Sequence, residues 1–170
     1  MPSTRKQATP VELAALLMEA VCVPGSSEQE AIEQMAQFTE VAPQQMLLEV
    51  MFLRAFAVEF GAEMALGDSE EKQAIFKRFY DHWDMIAEKA DGDLLDDLTE
   101  RLEYYNGAVH SPSDGSGLAG QVGVAFAARC GTPEEVQEDL AMFGGSLFAA
   151  LFEETAELLQ NIEILPYDSE

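Results

Sequence analysis

The fold class predicted for this 170-residue chain is all-α: a single compact bundle of about seven helices around a central buried helix at about 43–66. Three observations predict it. Helix starts are marked by capping residues, apolar residues recur every three or four positions, and no run of alternating β-branched residues argues for a sheet. One domain over 1–170 fits the length. Residues 1–8 and 165–170 are expected to fray.

The elements follow in order. Thr9-Pro10-Val11-Glu12 opens the first helix, 10–22. Thr at the N-cap can accept from an orphan N–H, Pro costs no hydrogen bond at the first helical position, and Glu can reach back. Ser27, ahead of Glu28 and Glu30, opens 27–38. Pro43 opens 43–66, where apolar residues nearly circle the axis, from Met46, Leu47 and Leu48 to Phe56, Val58 and Phe60. A helix apolar all round belongs inside. Asp68, ahead of Glu71, opens 69–90, with Ile75, Phe76, Phe79, Trp83, Ile86 and Ala90 on one stripe.

Next comes 93–106, then a loop rich in Gly, Ser and Pro with a weak start at Ser111-Pro112-Ser113-Asp114, then 117–130. Thr132-Pro133-Glu134-Glu135 repeats the Thr-Pro signal for the last helix, 133–161. Its stripe is Val136, Leu140, Phe143, Leu147, Leu151 and Leu158. Gly120 and Gly123, with Ala119 and Ala127, and the pair Gly144-Gly145 are expected to let helices approach closely. Glycine inside a helix costs about 1 kcal/mol relative to alanine and implies a packing reason.

Charge sets the function classes. There are 9 Lys+Arg against 32 Asp+Glu, a net charge of -23, yet 48% of residues are hydrophobic. That apolar content separates the chain from acidic disordered sequences. The negative field disfavours nucleic acid and anionic membranes and favours a protein partner with a basic surface. Residues 1–90 hold 15 acids and 7 bases, giving -8; residues 91–170 hold 17 acids and 2 bases, giving -15. Asp93, Asp96, Asp97, Glu100, Glu134, Glu135 and Glu138 form the candidate interaction patch. The competing reading is a solubilising, solvated face. The N-terminal residues lack a signal-peptide core. Met46–Leu66 carries four charges, and the uncharged run 140–152 falls short of the ~20 residues a span needs. A cytoplasmic location is expected, and a homo-oligomer is left open.

Few residues suggest chemistry. Glu59 and Glu63 are four apart on one helix face, with Glu49 near the same side and Arg54 roughly opposite Glu59. A helical carboxylate metal site needs Glu-x-x-His partners, and the sequence has none. No metal and no cofactor is expected. Arg54 is expected to be buried, tied to a carboxylate or to helix-end carbonyls. His82 and Trp83 sit in Asp81-His82-Trp83-Asp84, where a histidine beside an apolar stripe reads as a boundary residue. His110 lies in the loop. Cys22 and Cys130 are isolated and read as buried thiols. Residues 115–120 match G-x-G-x-x-G but follow a helical pattern rather than a strand, so a dinucleotide site is not predicted. The reading leans away from an enzyme. It points to an adaptor, regulator or chaperone-like protein-binding domain. The alternative is a small-molecule or cofactor sensor with an apolar pocket among the Phe, Trp and Met helices. A sealed core would favour the first; an apolar cavity with convergent polar groups would favour the second.

Overall fold

The computed structural model describes residues 5–23, 25–90, 92–110, 117–130 and 134–166. It is all-α apart from one short strand pair. The elements are β1 (Gln7–Ala8), α1 (Pro10–Cys22), α2 (Ser26–Thr39), α3 (Pro43–Leu66), α4 (Glu70–Lys89), α5 (Leu94–His110), α6 (Leu118–Cys130), α7 (Glu134–Asn161) and β2 (Glu163–Ile164). The starts expected at 111–114 and at Thr132-Pro133, and Gly115 and Ser116 of the glycine motif, lie outside the described residues.

Local chemistry explains the helix starts, with two corrections. The Thr9 hydroxyl accepts from the Glu12 N–H at 3.2 Å while the Glu12 carboxylate accepts from the Thr9 N–H at 2.9 Å, a complete capping box. At α4 the cap is Ser69, which accepts from the Lys72 N–H at 3.2 Å, and not Asp68. Ser69 lies three residues before Lys72, the spacing a side-chain cap requires. At α2 the cap position falls on Gly25 and no side chain caps it, so Ser27 already lies inside the helix.

The strand pair corrects the expectation of no sheet, and it holds Gln7 and Ala8, two of the residues expected to fray. Gln7 and Ala8 pair in parallel with Glu163 and Ile164. The Glu163 N–H donates to the Lys6 carbonyl at 2.8 Å and the Leu165 N–H to the Ala8 carbonyl at 2.9 Å, and Ala8 is buried. Two residues a side are too few to leave a period-2 pattern in the sequence.

α3 packs against all the other helices. Every residue from Phe52 to Val58 is buried, so two turns have core on all sides. The apolar circle breaks at the first turns, where Leu47 and Leu48 are 47% and 37% exposed. Phe56 joins three helices through ring contacts to Tyr105 at 5.5 Å and Phe148 at 5.7 Å. On α4, Ile75, Phe76, Phe79 and Trp83 are buried, while Ile86 is half-buried and Ala90 exposed.

The buried line of α7 runs through Leu140, Gly144, Phe148, Leu151, Thr155 and Leu159, so Leu147 and Leu158 fall on its flank. Glycine interrupts this face at Gly144 and Gly145 because α6 approaches so closely there. A Cβ on Gly123 would run into the Ala141 carbonyl, and one on Gly145 would stand 2.7 Å from the Ala119 carbonyl oxygen. Gly120, by contrast, is exposed.

By length and by the mean hydropathy of an 18-residue window within it (1.2), the stretch Pro10–Thr39 passes for a membrane span, where the sequence reading finds none. In the structure it forms α1 and α2, and 35% of the apolar window is buried inside the fold.

Candidate functional site

The end of α1, the first half of α2 and the first half of α3 line an open, mostly apolar pocket of about 320 Å³. Val21, Ile32, Leu47, Leu48 and Met51 supply most of its wall; Gln29 and Gln44 are exposed members of the lining. Leu47 and Leu48, left uncovered by the packing of α3, therefore face a cavity rather than the core.

Arg54 also lines this pocket. Its side chain is 8% exposed. One Nη donates to the Ala20 carbonyl at 2.7 Å, in the last turn of α1, and the other pairs with Glu28 on α2. A cation near the C-terminal carbonyls of a helix is favourably placed. Its Nε is buried with no partner among the described residues. Arg54 thus clasps α1 and α2 onto α3 with one donor unsatisfied. Cys22 lines the same pocket; burial pushes its thiol pKa up and the Arg54 charge opposes this. The net rise keeps it a thiol at neutral pH and makes it a poor nucleophile.

The remaining sequence candidates lie elsewhere. Glu59 accepts from the Tyr80 hydroxyl at 2.7 Å. Burial first, then the Glu59 charge and hydrogen bond, hold that hydroxyl far above the usual tyrosine range. Glu59 and Glu63 line a groove of about 220 Å³ against α5, with Glu103, Asn106 and the rings of Phe56 and Phe60. Among the described residues no three His, Cys, Asp or Glu side chains gather as metal ligands. His82 is half-buried in a separate groove between α1 and α4, beside Met18, Met85 and Lys89. Trp83 turns into the core, 6.5 Å from Phe52. Neither reaches the Arg54 pocket.

The sequence reading missed the most buried ion pair among the described residues. Glu49 of α3 is 3% exposed, and the Arg101 Nε of α5 donates to both its oxygens, at 3.0 and 3.2 Å. The Arg101 guanidinium lies 5.5 Å over the Phe52 ring and also pairs with Glu100. Glu100 pairs in turn with Arg129 of α6, which sits 4.7 Å over Tyr104. The one signal in the sequence was compositional: Arg101 and Arg129 are the two bases of residues 91–170, set among 17 acids.

This network changes the acidic patch. Glu100 is occupied by two arginines and is no free charge. Asp93, Asp96, Asp97, Glu134, Glu135 and Glu138 are exposed. They share one end of the molecule. The Glu100–Arg129 pair brings the start of α5 to the end of α6, and the Gln137 side chain, donating to the Ala127 carbonyl at 3.2 Å, brings the start of α7 there too. Four of these acids lie in first helical turns, Asp96 and Asp97 in α5 and Glu134 and Glu135 in α7. There they also complement helix dipoles.

No protein-family model, no curated protein and no solved structure matches this chain.

Proposed function

We propose that this chain is a non-enzymatic binding protein whose receptive site is the α1–α2–α3 pocket, a small-molecule site lined by aliphatic residues and Met51 rather than by the Phe and Trp residues of the sensor reading. One observation carries the reading: an open pocket of about 320 Å³ whose wall is mostly apolar, with Gln29, Gln44 and the buried Arg54 as its few polar members. A cavity of ~300–1,000 Å³ with apolar walls and few polar groups is the usual form of a ligand site. The chemistry around it argues against catalysis. Arg54 is engaged with Ala20 and Glu28, and Cys22 is held as a thiol.

Butylbenzene titrated into the protein and followed by calorimetry is expected to saturate at one molecule per chain. Gln29→Trp, which places an indole at an exposed position of the lining, is expected to abolish that binding. A non-saturating titration of the unmodified protein refutes the reading.

A second reading, a protein partner with a basic surface, draws support from the six exposed acids gathered at one end of the molecule.

A further inference from the structure

We propose that the pocket selects a neutral, mostly apolar ligand of about ten non-hydrogen atoms, and that Glu28 is the residue that rejects carboxylates. This rests on the pocket being a ligand site.

Size comes from volume. At roughly 30 Å³ for each water-sized group, about 320 Å³ holds about ten such groups. The apolar wall asks for hydrocarbon, because a polar group placed against it would lose water without a partner. Charge is decided by the Arg54–Glu28 pair. Arg54 is the one cation among the lining residues, and Glu28 already neutralises it. An incoming carboxylate would meet an arginine whose charge is spent, with Glu28 beside it, inside a protein of net charge -23. An incoming ammonium would meet the Arg54 charge while its natural partner, Glu28, is engaged. A neutral molecule escapes both penalties.

Methyl heptanoate and octanoate separate these effects, because they have the same size and differ in charge. In calorimetry near neutral pH, methyl heptanoate is expected to bind at least about tenfold tighter than octanoate. Glu28→Gln leaves the guanidinium unpaired. It is expected to raise octanoate affinity about tenfold or more while butylbenzene is unchanged. Octanoate binding the unmodified protein as tightly as its ester overturns the proposal, and that comparison needs no variant to fold. Butylbenzene binding with no preference for ester over carboxylate sinks the inference and spares the pocket reading. Failure of all three ligands to bind sinks both.

Discussion

The two arginine clasps illustrate how burial of the partner decides the cost of breaking a pair. Arg101→Ala leaves the Glu49 carboxylate behind, and that side chain is 4% exposed. Arg54→Ala leaves Glu28, whose side chain is 26% exposed and can turn toward water. Removing one member of a buried pair costs ~3–5 kcal/mol. Arg101→Ala is expected near the top of that range and Arg54→Ala near the bottom, measured by urea unfolding; the reverse order would show that the Arg54–Glu28 clasp is the tighter of the two. Buried thiol and phenol groups set a pH limit on the same core. Burial, reinforced by the Glu49 charge and opposed by Arg101, pushes the Cys130 thiol up to about 12, and burial drives the Tyr105 hydroxyl well above its ordinary value. The folded state therefore keeps protons that the unfolded chain loses above its ordinary thiol pKa of 9.0. Stability falls as pH rises wherever the folded state binds more protons. Unfolding midpoints are expected to hold steady from neutral pH to about 9 and then decline, less steeply in Cys130→Ala. A midpoint that stays level up to about pH 11 would contradict this.

Among the elements, the α6–α7 pair depends on missing side chains. A methyl group at Gly123 would strike the Ala141 carbonyl, part of a backbone that cannot swing aside. Gly123→Ala is expected to cost about 3 kcal/mol or more. Gly107, inside α5, has nothing within 4 Å of an added Cβ. Gly107→Ala is expected to stabilise by up to about 1 kcal/mol through helix propensity alone. Thermal unfolding of both variants separates packing from propensity; similar shifts in the two would mean the close approach of α6 to α7 is not realised.

For the whole molecule, charge governs encounters. Asp93, Asp96, Asp97, Glu134, Glu135 and Glu138 project from the end where α5 and α7 begin. If a basic protein binds there, its association rate should fall as salt rises, since exposed charges are screened over ~8 Å at physiological ionic strength. Asp96→Lys with Asp97→Lys is expected to slow association about tenfold or more while changing dissociation little. Glu100 is left out of that test because reversing it would break the Arg101 and Arg129 pairs. An on-rate indifferent to salt and to both reversals leaves those acids with their dipole and solubility roles alone.

Features written over three or four residues are legible in the sequence itself. The Thr9–Glu12 capping box, the span of α3 from Pro43 to Leu66 and the α4 stripe through Phe76, Phe79 and Trp83 all follow from neighbours along one helix. The all-α class follows from many such signals pointing the same way. What the chain does with its long-range partners is not legible there. Residue types tell that Arg54 needs a partner, but only the docking of α1 and α2 onto α3 makes that partner Ala20 and Glu28. The same holds for Glu49 and Arg101, 52 positions apart, and for Gln7 and Glu163, 156 apart. The pocket is the clearest case. Leu47 and Leu48 read as core by hydrophobicity, and they line a cavity because none of the described helices covers the first turns of α3 on that side. Periodicity tells which face of a helix is apolar; whether that face meets another helix or an empty space depends on how rigid cylinders pack, and no window of a few residues contains that information.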